Sequence, residues 1–118
     1  MATMRRGDVW QVNLDPALGN EANKVRPAVI VSNDRANATA ARLGRGAVTV
    51  VPVTSNVDDI LSFHVLLPAV TSGLSVDSKA QAEQVRSVAV QRLIRPLGSL
   101  PSAQVAELDA ALRLHLSL

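Results

Sequence analysis

The sequence has 118 residues, of which 47% are hydrophobic and 19% are charged. This length suits one core and one domain, residues 1–118, and the composition excludes a disordered chain. Twelve basic and ten acidic residues leave a net charge of +2. The absence of cysteine excludes disulfides and thiolate catalysis, and no apolar run approaches the ~18 residues of a membrane span. We therefore expect a soluble cytoplasmic protein.

The first two predicted strands flank a polar loop. Asp8–Leu14 alternates between polar and apolar residues, with Trp10 on the buried face. Residues 17–25 are rich in asparagine and follow a proline, which ends the first strand. Pro27–Ser32 is a short apolar run, which is typical of a strand buried on both faces.

The middle of the chain predicts a short helix and two more strands. Arg35–Leu43 favours one or two helical turns. Ala47–Val53 is rich in β-branched residues and predicts a central strand, although Pro52 indicates an edge or a bulge near its end. Ser62–Leu67 predicts a further strand.

The last third of the chain predicts strands and a helix. Ser78–Ser87 alternates loosely and fits either a strand or a helix; we predict a strand. Arg92–Leu97 predicts a short strand or a 3₁₀ turn, broken by Pro96. After Pro101, apolar residues recur at helical spacing: Val105, Leu108, Leu112 and Leu116. Together the elements predict a compact β-barrel or half-barrel with a terminal helix packed on it.

No single group of polar residues identifies a chemistry. The sequence has no Ser-His-Asp arrangement, no GxxxxGK[ST] loop and no GxGxxG motif. His64 and His115 lie in apolar contexts on different elements, which favours structural roles. Without a nearby pair of carboxylates they make a poor metal site, so we predict no metal.

Three segments taken together are more informative. They are RRGDVWQVNLDPALGNEANKVRPAVIVSND, then VVPVTSN, then AEQVRSVAVQRL. In order and spacing they closely resemble the MazF/PemK family of toxins from bacterial toxin–antitoxin pairs. The resemblance runs from Arg6 to the final helix. It implies a mainly β fold with helices, an SH3-like small barrel with a C-terminal helix, and a homodimer. It also implies metal-independent cleavage of single-stranded RNA without a cofactor, and inhibition by a MazE-like antitoxin.

The implied reaction begins with attack of a ribose 2′-OH on the adjacent phosphorus and leaves a 2′,3′-cyclic phosphate. It needs a positive group at the phosphorane, a proton donor to the leaving oxygen and a base. The resemblance assigns Arg26 and Thr54 to this site and matches Glu21 to a family carboxylate. The residues alone favour a salt bridge at the strand start for Arg26, for example with Glu21, and Thr54 could simply bind backbone.

The general base stays unassigned. Arg26 remains protonated near neutrality and cannot easily accept a proton. Glu21 could accept one if burial favoured its protonated form, or it could only orient Arg26.

Further residues are expected to contact RNA or to support the site: Asn20, Lys24, Ser55, Gln84 and Arg86. Asn20 stands where relatives commonly have serine, so loop contacts with RNA can differ here. Some relatives use another arginine and an aspartate in the region of Gln81 and Glu83. Because Gln81 cannot supply that charge, the sequence fits the branch that uses Arg26 and Thr54.

Two alternatives remain. One is a non-catalytic gyrase poison of the same fold, like CcdB, in which Arg26 and Thr54 are structural and the C-terminal helix contacts the partner. The other is a non-specific RNA-binding module. The loop sequence GNEANKVRP favours the ribonuclease. An antitoxin would then supply an acidic, disordered tail that folds along a basic groove between the subunits.

Overall fold

A computed structural model describes residues 3–16, 18–22 and 24–118. Within these residues the chain forms seven strands: β1 (Asp8–Asn13), β2 (Val25–Ile30), β3 (Ala47–Thr54), β4 (His64–Leu67), β5 (Ser78–Gln81), β6 (Arg86–Ala89) and β7 (Leu93–Ser99). The α-helices are α1 (Asp34–Leu43), α2 (Ala69–Ser72) and α3 (Ser102–Leu116), and 3₁₀ turns span Ala82–Gln84 and Val90–Arg92.

The strands form one antiparallel sheet in the order β4-β5-β3-β2-β1-β7, and β6 pairs with β3 outside this path. β3 is long enough to have two partners along one edge, β6 over Ala47–Val50 and β5 over Val53 and Thr54. The predicted fold class, mainly β with a C-terminal helix, is confirmed. The sheet is not the closed barrel that the resemblance implied, because among the described residues β4 and β7 end the order without pairing to each other.

The sheet has a hydrophobic core on each face. One core contains Trp10 and Ile30, and the other contains Val9 and Val29 together with Leu108 of α3. The alternation in the first strand predicted one buried face, the one that carries Trp10. That prediction was incomplete, because Val9 on the opposite face is fully buried beneath the second core.

The predicted strand over Ser78–Ser87 was wrong in its middle. A 3₁₀ turn at Ala82–Gln84, closed by a hydrogen bond from the Val85 N–H to the Ala82 carbonyl, separates β5 from β6. This bend lets β5 and β6 pair with different parts of β3. Pro96 does not break the last strand either; it lies inside β7 opposite Trp10, beside a register shift that accommodates a residue without an N–H.

Pro52 lies in a central strand, where the sequence predicted an edge or a bulge. On one side it pairs with Ala28 of β2. On the other side it falls between Val50, the last residue paired with β6, and Val53, the first paired with β5. A residue without an N–H therefore occupies the gap between two partner strands.

The segment before β5 packs directly on the backbone of β7. A β-carbon at Gly73 would lie 2.4 Å from the Leu97 carbonyl oxygen, and one at Gly98 would lie 2.5 Å from the Ser72 carbonyl oxygen. Only glycine permits so close an approach. The crossing of Gly73 and Gly98 fixes the start of the segment from Leu74 to Ser78. In the described part of the chain, no helix is both long and apolar enough to cross a membrane.

Candidate active site

Arg26 and Thr54 lie at the ends of neighbouring strands. The β2–β3 pairing runs from Ile30 and Val50 to Ala28 and Pro52, and its register, continued by two residues, brings Arg26 opposite Thr54. Both side chains line a cleft of about 430 Å³. The structure thus brings together the two residues that the resemblance assigns to one site.

Half of the other residues that line this cleft are polar. Ser55 and Asn56 continue from Thr54, and the segment with Ser75 and Ser78 forms the opposite side. Hydroxyl and amide groups offer hydrogen bonds to phosphate oxygens, and a guanidinium adds a fixed positive charge with several donors. The arrangement suits binding of a phosphodiester.

The Thr54 hydroxyl has a defined orientation. Its oxygen accepts a hydrogen bond from the Asn56 backbone N–H at 3.2 Å. Because the oxygen already serves as an acceptor, the hydroxyl proton is available to donate to a ligand. The loop after Thr54 is tied down by buried Lys79, the β5 partner of Thr54, whose Nζ donates to the Asp59 carbonyl at 2.6 Å.

Glu21 does not line the cleft with Arg26 and Thr54. It is exposed and borders a separate cleft of about 290 Å³, together with Glu83, Gln84 and Arg86. The burial that would have suited Glu21 to the role of a base is therefore absent.

Gln84 holds the loop that carries Glu21. Its Oε1 accepts from the Ala22 N–H at 2.9 Å, and its Nε2 donates to the Asn20 carbonyl at 3.0 Å. Both ends of the amide thus bind backbone on either side of Glu21. Arg86 acts in a similar way, because its Nη1 donates to the Leu14 carbonyl at 3.3 Å.

The turn that carries Gln84 is anchored by His64. Nε2 of His64 lies 3.1 Å from Oε2 of Glu83, and the His64 side chain is only 5% exposed. Nδ1 of His64 accepts from the Leu61 N–H at 3.1 Å, which assigns the proton of the neutral ring to Nε2, facing Glu83. The interpretation of His64 as a structural residue agrees with these contacts.

The other predicted contact residues lie in different places. Ser55 lines the cleft with Thr54. Asn20 and Lys24 are exposed on the β1–β2 loop. Lys24 has a left-handed backbone with φ of 64°, and its N–H donates to Oδ1 of Asp15 at 2.7 Å, which closes the loop.

Sequence reasoning missed one wall of the cleft. Asn56, Leu74, Ser75 and Ser78 line it, and none was singled out beforehand. The available signal was the density of hydroxyl residues around Gly73 in the run TSGLSVDS. Among the described residues, no group of three or more His, Asp or Glu side chains is placed to hold a metal ion.

This fold and site have counterparts among known proteins. A family model described as PemK-like, MazF-like toxin of type II toxin–antitoxin system matches residues 5–116. The chain is 66% identical over 115 residues to endoribonuclease MazF9 of Mycobacterium tuberculosis, covering 98% of each chain. The chain belongs to the PemK/MazF toxin family.

Solved structures of the family share the fold. MazF from Deinococcus radiodurans matches with a TM-score of 0.82 and 26% identity over the whole of both chains. A MazE–MazF complex from the same organism matches with a TM-score of 0.75 and 27% identity, over 100% of this chain and 99% of that one.

Proposed function

We propose that the protein is a sequence-specific endoribonuclease toxin that cuts single-stranded RNA without a metal ion. The observation that carries this proposal is that Arg26 and Thr54, brought together from two strands, line one open cleft. Family membership and the endoribonuclease activity of the 66% identical relative support it.

In the proposed reaction the ribose 2′-OH loses its proton and forms a bond to the adjacent phosphorus. The bond from phosphorus to O5′ then breaks, and O5′ takes up a proton. The products carry a 2′,3′-cyclic phosphate and a 5′-OH. The Arg26 guanidinium stabilises the extra negative charge of the phosphorane, and the Thr54 hydroxyl donates to a phosphate oxygen.

Around this pair, the other residues divide into supports and RNA contacts. Gln84 and Arg86 hold the β1–β2 loop through its backbone, so we assign them positioning roles. Ser55 in the cleft and exposed Asn20 and Lys24 on the loop are assigned contacts with RNA. We assign Glu21 a role in orienting charged groups near the loop. We do not assign it proton abstraction, because it is exposed and borders another cleft.

We further propose that two copies associate and that a MazE-like antitoxin neutralises the dimer in the cytoplasm. The solved MazE–MazF complex of Deinococcus radiodurans supports the partner. An acidic, disordered antitoxin segment suits a chain in which ten of the twelve basic residues are arginine, since only Lys24 and Lys79 are lysine.

The alternative of a non-catalytic gyrase poison makes Arg26 and Thr54 structural. Their shared position on an open cleft, rather than in the core, favours the ribonuclease.

The test is incubation of the purified protein and its Arg26 variants with a long RNA. Arg26→Ala is expected to lower kcat about 10²- to 10³-fold, the usual effect of losing one transition-state donor. Arg26→Lys recovers little, because lysine lacks the planar fork of donors. Arg35→Ala, which removes a charge from the exposed side of α1, is the matched control. Near-parent cleavage by a folded Arg26→Ala protein overturns the assignment, and Gln84 and Arg86 would be tested next.

A further inference from the structure

We propose that a second cleft, lined by Gln11 and Arg95, is a phosphate subsite for the RNA strand beside the scissile bond. The inference rests on the proposed function, because it assigns a further contact for the same substrate. This cleft has a volume of about 310 Å³ and shares Pro27, Leu74 and Ser75 with the cleft of Arg26 and Thr54. The two clefts therefore form one groove.

The strand register places Gln11 and Arg95, which line the second cleft, in a row across the sheet. Gln11 of β1 pairs with Pro27 of β2 on one side and with Arg95 of β7 on the other. Opposed residues of antiparallel strands direct their side chains to the same face, so these three residues form a row across the sheet. At ~4.8 Å per strand spacing, the backbones of Pro27 and Arg95 lie about 10 Å apart. Arg95 is thus suited to contact a nucleotide next to the reacting phosphate.

The wall common to both clefts is rigidly supported. Gly73 approaches the Leu97 carbonyl so closely that a β-carbon there would lie 2.4 Å from its oxygen. Leu74 and Ser75 follow directly and line both clefts. The groove is therefore preformed by backbone packing, which lowers the entropic cost of binding a flexible strand.

The chemistry of the second cleft matches an RNA backbone. Arg95 is exposed, and its guanidinium makes no hydrogen bond or ion pair with another described residue, so its donors are available to phosphate oxygens. The half-buried amide of Gln11 offers a donor and an acceptor to a ribose hydroxyl. Continuity with the cleft of Arg26 and Thr54 favours RNA over an acidic peptide as the occupant.

The experiment combines Arg95→Gln with RNA substrates that carry a neutral methylphosphonate at one linkage at a time beside the mapped cut site. Arg35→Gln is the control of equal charge. Arg95→Gln is expected to raise KM roughly two- to fivefold at low salt with kcat unchanged. It should also flatten the dependence of log KM on log salt by about 0.7. A methylphosphonate at one position should raise the KM of the parent but leave the KM of Arg95→Gln unchanged. That position identifies the contacted phosphate.

Equal effects of every methylphosphonate on parent and Arg95→Gln, with an unchanged salt slope, overturn the subsite. Weaker binding of polyglutamate by Arg95→Gln with unchanged RNA kinetics also overturns it, because the cleft then serves a protein partner. Failure of the parent to cut any RNA contradicts the proposed function instead. In that case fluorescence anisotropy with the same RNAs tests the subsite by binding alone. Arg95→Gln must then bind RNA more weakly than the parent, and a methylphosphonate at one linkage must weaken binding by the parent but not by Arg95→Gln.

Discussion

Arg26 and Thr54 face each other across the point where β2 and β3 stop pairing. The last paired residues are Ala28 and Pro52, and two positions further on the strands carry Arg26 and Thr54 to the cleft. The fold thus positions a cation and a hydroxyl from strands distant in sequence without using a mobile loop. Sites built on strands hold their geometry more closely than sites built on loops.

The Thr54 hydroxyl is expected to be needed for rate but not for folding. Thr54→Val keeps the β-branched shape that a strand prefers. It deletes the hydroxyl, which is the donor proposed for the phosphate and the acceptor for the Asn56 N–H. We expect kcat to fall about tenfold or more, as for loss of one hydrogen bond to a charged group. Thr54→Ser should restore most of the rate. Steady-state cleavage assays measure both.

Thr49→Val, the same substitution earlier in β3, is the matched control and should cut RNA like the parent. A slow Thr54→Ser protein with an unchanged thermal melt would show that the methyl group, not the hydroxyl, matters at this position.

Glu21 is expected to influence the rate without acting as the base. Because it is exposed and lies outside the cleft of Arg26 and Thr54, Glu21→Gln should lower kcat/KM by a similar factor at every pH. Loss of a general base would instead change the shape of the pH–rate profile. Profiles of the parent, Glu21→Gln and the exposed-helix control Glu107→Gln separate the two roles. If the pH–rate profile of Glu21→Gln lacks a limb that the parent and Glu107→Gln both show, Glu21 is the base.

Gln84 is expected to control the order of the β1–β2 loop. Gln84→Ala removes two hydrogen bonds to the loop backbone, worth about 0.5–1.5 kcal/mol each. We expect faster hydrogen exchange at the Ala22 amide, a higher KM and only a small fall in Tm. Gln84→Glu keeps an acceptor for the Ala22 N–H and should restore its protection.

The control for Gln84 is Gln104→Ala, which removes another hydrogen bond between elements, from Nε2 to the Thr71 hydroxyl. It should leave RNA kinetics unchanged. Unchanged exchange at Ala22 in Gln84→Ala would refute the positioning role.

The protein is expected to be a dimer in solution. Several large apolar side chains are exposed on a single chain, among them Val70, Leu114 and Leu118, at 92%, 55% and 84%. Exposed apolar surface of this kind favours association. Light scattering should give about twice the 12.5 kDa chain mass. A monomer at micromolar concentration that still cuts RNA is the opposing result.

Local patterns in the sequence predicted the helices and strands whose buried residues recur at regular spacing or share one residue type. The spacing of Leu108 and Leu112 predicted α3, and both residues are buried. β-Branched residues likewise predicted β3. The turn between β5 and β6 could not be predicted, because Ala82–Gln84 carries no glycine or proline and its bend is set by pairing of both strands to β3.

The site was predictable only in part, for a similar reason. Arg26 and Thr54 follow motifs that run along the chain. Ser75 and Arg95 join the groove only because Gly73 and Gly98 cross closely, which is a contact between distant segments. Gln84 likewise reaches Asn20 across 64 positions of sequence. Such long-range contacts leave no periodic signal.

Analysis of the ends of the fragments made from a long RNA in excess EDTA separates metal-independent cleavage from a metal-dependent reaction. If the Arg26 guanidinium stabilises the phosphorane, cleavage should persist in the chelator. The fragments should carry 2′,3′-cyclic phosphate and 5′-OH ends, and Arg26→Ala should yield few of them. Activity that disappears in EDTA and returns with Mg²⁺, or fragments with 5′-phosphate ends, would contradict the account.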